Sequence, residues 1–346
     1  MSASAANFLW TGGTGAKADQ WNNKNNWTWG PKAIPGAADM AYFTNSASSY
    51  TPTLTAASSI LGLNYSANAA SYTIGGTYTL TIGTSGITDN SANGQTINAP
   101  VALAGAQTWS VASGGSLTVG GTVNNAGYTL TLNGAGAKTL SGVVSGTGGL
   151  TASGSGTATL SAANTYSGAV TVGSGATLNV GHANALGSGT AGLALNGTMN
   201  LNANPSSSRP VTMNAGSVIN ANNQSGSFGG LAVAGNSTIN LVNDSTSATL
   251  NFGAATRTAG TLTINNWANT LTRDSIFLTS ASASFLANTV FAGSGQTSSA
   301  LWGGSAPYEL VPFGVVPVPE PQTYAAVFGL GALGFVIYRR RFSARA

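Results

Sequence analysis

From about Thr51 to Ile264 one pattern recurs: short runs in which apolar and hydroxyl residues alternate, among them YTLTI, SLTVGG, YTLTLNG, ATLNVG, TMNLN, STINLV and TLTIN. Period two marks a strand with one buried face. Thr and Val suit such strands because branching at Cβ fits a pleated surface. Gly, Asn and Ser between the runs supply tight turns and positive φ. No helical period is sustained here. Leu61, Leu80, Val101, Leu117, Leu140, Leu160, Leu178, Met199, Ile219, Ile239 and Leu262 follow one another at about 16 to 23 residues, near the length of one solenoid coil. A coil that short cannot bury its own inner face, so its neighbours above and below must cover it. About ten coils at roughly 4.8 Å make a rod near 50 Å long. The fold class expected is all-β, a parallel β-helix.

Composition narrows the chemistry. Only 5% of residues are charged, which is far from the usual soluble enzyme, yet 42% are hydrophobic, which is far from a disordered chain. The net charge of +4 comes largely from Arg339, Arg340, Arg341 and Arg345, set against Glu320. The body has no basic patch with interleaved aromatics, so nucleic acid is not an expected partner. With no cysteine there is no disulfide, thiol catalysis or thiolate metal site. The acids Asp19, Asp39, Asp89, Asp244, Asp274, Glu309 and Glu320 stand apart, none within four residues of another. Paired carboxylates for acid–base work are not expected. His182, the only histidine, has no Asp, Glu or Cys beside it and reads as a turn residue rather than a zinc ligand. GGTGAKAD at Gly12–Asp19 lacks the Gly-Lys-Ser/Thr ending of a phosphate loop. The reading is of a chain that is not an enzyme, without catalytic residues, metal or cofactor.

Four segments are expected: a Trp-rich cap over 1–50, the repeat region over 51–264, a C-terminal cap and connector over 265–316, and a terminal segment over 317–346. Trp10, Trp21, Trp27 and Trp29 crowd the first segment. A solenoid needs its first open rung covered, and large aromatics suit that task. The opening MSASAANFLW has neither a positive n-region nor an apolar h-region, while ASAA resembles the small-residue tail of a signal-peptide cleavage site.

Gly148–Gly189, with LSAANTYSGAVTVGSGATLNV at its centre, resembles the autotransporter-associated β-strand repeat, and 1–50 resembles the leader that often precedes such repeats. The resemblance implies a right-handed parallel β-helix on exported surface proteins. The chain end carries three unlike elements in order: Pro319-Glu320-Pro321, the uncharged stretch 324–338, and Arg339, Arg340 and Arg341. Alone, the stretch reads as a short hydrophobic helix in contact with the membrane, with the arginines as its stop on the cytoplasmic side. Together the three resemble the PEP-CTERM sorting signal very closely. That resemblance implies recognition of Pro319, Glu320 and Pro321 by a membrane exosortase, cleavage nearby, and delivery to the cell surface or extracellular matrix after transient anchoring. Exopolysaccharide is a second candidate partner.

A carbohydrate- or ice-binding adhesin module on the same scaffold is the alternative. Thr-x-Thr pairs at Thr79/Thr81, Thr129/Thr131 and Thr261/Thr263 could order water, but they do not occupy one coil position. Exposed N-terminal tryptophans could stack on sugar rings, although a cap role for them is the stronger expectation.

Overall fold

The computed structural model describes residues 6–28, 33–242, 247–267, 274–292, 299–303 and 306–312. The chain winds into a β-solenoid of about 11 turns. One face is a twelve-stranded sheet, parallel throughout, that starts at Thr53–Leu54 and ends at Thr289–Phe291. Two further faces merge into a larger sheet, in which Val101 pairs with Val123 on one and Leu130 with Leu150 on the other. Coils are about twenty residues in the middle of the shaft, where Lys138 pairs with Ala158 and Thr177 with Thr198. They lengthen toward the C-terminal end, where Ser237 pairs with Leu262 and Leu262 with Thr289. The ladder thus continues past Ile264 into the segment read as cap and connector.

Alternation within each strand builds the core. In Thr177–Val180 and Thr198–Leu201 the second and fourth residues are buried and the first and third are partly exposed. Each strand of the twelve-stranded sheet therefore feeds two inward columns. One runs Leu117, Lys138, Ala158, Leu178, Met199, Ile219, Ile239, Ile264 and Phe291. The other runs Ile97, Val119, Leu140, Leu160, Val180 and Leu201.

This corrects the column expected from spacing. Leu140 and Leu160 do stack, as do Leu178, Met199, Ile219 and Ile239. Leu117, however, lies in the first column and Leu140 in the second, while Leu80 and Val101 belong to another face. Two inward residues, two positions apart, are equally compatible with a spacing near twenty. Corners need glycine where successive coils touch backbone to backbone. Gly134 has φ +94°, and a Cβ there would run into the Val111 carbonyl of the preceding coil.

Both ends are closed by antiparallel strands. At the N-terminus Trp27–Thr28 pairs antiparallel with Asn7–Trp10, which itself pairs parallel with Met40–Phe43. Trp10, Trp21 and Trp27 are buried, with ring centroids 4.7 Å apart for Trp21 and Trp27 and 5.0 Å for Trp10 and Trp27. Phe43 continues the stack into the shaft, 4.9 Å from Tyr65 and from Tyr72. Trp10 Nε1 donates to the Ser49 carbonyl and Trp27 Nε1 to the Trp21 carbonyl. These three indoles form the expected aromatic cap. They are not exposed platforms for sugar rings, because burying their apolar bodies is what closes the end. Trp29 lies outside the described residues.

At the C-terminal end Tyr308–Pro312 pairs antiparallel with Ser275–Ala281 and with Ser299–Trp302. Among the described residues no helix is long and apolar enough to cross a membrane. The C-terminal hydrophobic helix expected over 324–338 lies outside them.

Candidate functional site

The outer surface of the twelve-stranded sheet is the most regular polar feature of the molecule. The residue that follows the first inward column in each strand points outward, and parallel pairing stacks these residues in one line. Thr73, Thr96, Thr118, Thr139 and Thr159 follow one another, and then the line changes to Asn179, Asn200, Asn220, Asn240 and Asn265. Beside it, Thr157, Thr177, Thr198, Val218, Thr238 and Thr263 form a second line. Neither line contains a charged side chain.

The two halves of the first line bond differently. Asn200 Nδ2 donates to Asn179 Oδ1 at 2.9 Å. Asn220 to Asn200, Asn240 to Asn220 and Asn265 to Asn240 each follow at 2.7 Å. The ladder ends on the threonine line, where Asn179 Nδ2 lies 3.3 Å from Thr159 Oγ1. Parallel strands sit about 4.8 Å apart, a gap that a carboxamide spans with its donor on one side and acceptor on the other. A hydroxyl directly on Cβ is too short to do so.

The three Thr-x-Thr pairs singled out from the sequence fall on three different faces: Thr81 pairs with Ala102, Thr131 with Thr151, and Thr263 with Thr238. The aligned threonines are elsewhere, one per coil, and were missed. Their signal was a Thr or Asn recurring between two apolar residues about twenty positions on. It becomes visible only once the register is known.

Three of the acids are engaged by backbone amides. Asp39 accepts from the amides of Ala6 and Gly36, and Asp274 from those of Val242 and Ala248. Asp89 Oδ1 accepts from the amide and hydroxyl of Ser91, and burial pushes its carboxyl pKa up. Glu309 Oε1 accepts from Ser275 Oγ at 3.0 Å, so the fold brings it beside the residue that follows Asp274. Their separation in sequence gave no hint of that approach. His182 Nδ1 accepts from the Asn184 amide within its turn. Among the described residues no group of three His, Cys, Asp or Glu side chains is placed to hold a metal ion. Asp244 and Glu320 lie outside the described residues.

Among the described residues, the buried cations Lys138 and Arg209 have no carboxylate partner. Lys138 Nζ donates to the carbonyls of Gly134 and Gly136 at 3.0 and 2.8 Å, and burial lowers its pKa. Arg209 donates to the carbonyls of Leu186, Ala191 and Tyr166, with its guanidinium carbon 5.3 Å from the Tyr166 ring centroid.

Pro319, Glu320, Pro321, Arg339, Arg340 and Arg341 lie outside the described residues, so the tail is judged by sequence comparison. No curated protein and no solved structure matches the chain. Residues 317–341 match the PEP-CTERM protein-sorting motif, and the chain therefore carries, at the end of a β-solenoid, the signal of an exported protein handled by an exosortase.

Proposed function

We propose that this is a non-enzymatic structural protein of the cell surface or extracellular matrix, a charge-poor shaft delivered through its C-terminal tail. The match of 317–341 to the sorting motif carries the reading. In it, Pro319, Glu320 and Pro321 are what the exosortase recognises. Residues 324–338 hold the precursor in the membrane, and Arg339, Arg340 and Arg341 stop it there. Cleavage near the Pro-Glu-Pro then frees the solenoid from its anchor. The same reading takes Gly148–Gly189 as an autotransporter-associated repeat. Its runs Thr157–Leu160, Val170–Val172 and Thr177–Val180 are rungs of the shaft. Asp39, Asp89 and Asp274 accept from backbone amides, which fits a scaffold role for these three acids.

Replacing Pro319, Glu320 and Pro321 together by Ala in the native host tests the sorting step. The expected product keeps its full mass and stays in the membrane fraction. Unchanged mass and release relative to the parent would rule the signal out.

A second reading, a carbohydrate- or ice-binding module on the same shaft, draws support from the threonine line, whose hydroxyls at Thr73, Thr96, Thr118 and Thr139 have no partner along the axis among the described residues.

A further inference from the structure

On one face of the solenoid the strand ladder is interrupted. Val123–Asn124 pairs there with Val144–Ser145, and strands resume only at Gly226–Ser227. Between them three successive coils cross the face without regular strands, and a cleft of about 290 Å³ opens among Ala163, Asn164, Thr165, Asn184, Ser188 and Ser206–Ser208. We propose that this cleft binds a sugar unit of a neutral polysaccharide.

The lining specifies the ligand by chemistry. It contains hydroxyls and carboxamides and no charged side chain, so it offers nothing to neutralise an ion. Four of its polar side chains, Thr165, Asn184, Ser206 and Ser208, are exposed to solvent and have no hydrogen-bond partner among the described residues. The backbone around them is already engaged: Ser188 N donates to the Tyr166 carbonyl, Ser206 N to that of Ala183 and Ser207 N to that of Ser227. An extended peptide therefore finds no open strand edge to pair with. What remains is a set of neutral donors and acceptors from three coils, facing one small volume. That arrangement suits a compact ligand carrying many hydroxyls. The volume lies near the lower end of the roughly 300–1,000 Å³ range of ligand sites, enough for one or two rings, with the rest of the polymer outside.

The site is held rigid from behind. Arg209 follows the lining residue Ser208, and its guanidinium donates to the carbonyls of Leu186, which precedes the lining residue Gly187, of Ala191, and of Tyr166, which follows Thr165. Asn164 adds a further tie, accepting from the Val144 amide and donating to the Ala185 carbonyl. One guanidinium and one carboxamide thus fix the spacing of the coils that supply the free hydroxyls. Such preorganisation removes part of the entropic cost of binding.

The test is calorimetric titration of the purified full chain with cellohexaose, maltohexaose and xylohexaose, and with hexagalacturonate as a charged control. It does not depend on the sorting step. Saturable binding of at least one neutral hexasaccharide is expected, with the acidic one weaker. Thr165→Val and Ser206→Ala should together weaken binding tenfold or more, about 1.4 kcal/mol, with the thermal midpoint unchanged. Thr118→Val, on another face, should leave binding as it was. The proposal is overturned if no neutral hexasaccharide binds, if hexagalacturonate binds as tightly, or if the cleft pair leaves the affinity intact. Loss of binding on Thr118→Val alone would also overturn it, by moving the ligand to the threonine line.

Discussion

The twelve-stranded sheet is one continuous parallel ladder, yet its two halves are built differently outside and inside. From Thr73 to Thr159 the outer line is threonine, and the inner column beneath it includes a buried lysine and a small residue, Lys138 and Ala158. From Asn179 to Asn265 the outer line is a hydrogen-bonded asparagine ladder over an unbroken aliphatic column of Leu178, Met199, Ile219, Ile239 and Ile264. Backbone geometry is shared, so the difference lies in the side chains. The threonine half holds together by strand propensity and backbone bonds. The asparagine half adds a second ladder along the axis and an inner column without a charge. A solenoid therefore does not need uniform repeats; it needs each rung to satisfy the next.

Moving the buried charge between halves should break the comparison most sharply. Met199→Lys places an ammonium in the aliphatic column, and we expect a loss of about 3 kcal/mol, read as a lower urea midpoint. The reverse change, Lys138→Met, should gain about 2 kcal/mol at neutral pH, because two carbonyls do not fully offset the desolvation of an ammonium. The pH dependence identifies the cause. Burial holds the Lys138 pKa below its ordinary 10.5. Between the depressed value and 10.5 the unfolded chain binds more protons than the folded one, so stability rises with pH through that window. Below it the cost of the buried charge is present in full. Lys138→Met should abolish that slope, and a slope that survives the substitution would assign the pH dependence to another group.

These contrasts also show how far the sequence could be read. The strands were legible because alternation within YTLTLNG or STINLV is local. The tail was legible because Pro319-Glu320-Pro321, the apolar run and the arginines follow one another directly. The aromatic cap was legible from the crowding of Trp10, Trp21 and Trp27. Register was not, because Leu117 and Leu140 satisfy the same spacing from different columns, and coils range from the twenty residues between Lys138 and Ala158 to the longer step between Leu262 and Thr289. Everything that depends on register was hidden with it: the change from threonine to asparagine at Thr159 and Asn179, the meeting of Glu309 with Ser275, and the cleft assembled from three coils.

The smallest effects test the outer line itself. Asn220 both donates to Asn200 and accepts from Asn240. Asn220→Val removes two links from the ladder while keeping a residue that suits a strand, and the expected loss is about 1–2 kcal/mol, near the net worth of two hydrogen bonds at a partly exposed site. Thr118→Val at the equivalent place in the other half breaks no bond along the axis, and its effect should stay within about 0.5 kcal/mol. The two substitutions share a sheet, a face and a replacement residue, so strand propensity and exposure largely cancel in their difference. What remains is the contribution of the carboxamide ladder. If both variants shift the urea midpoint equally, the ladder adds nothing beyond the backbone, and the asparagine half owes any extra stability to its aliphatic interior alone.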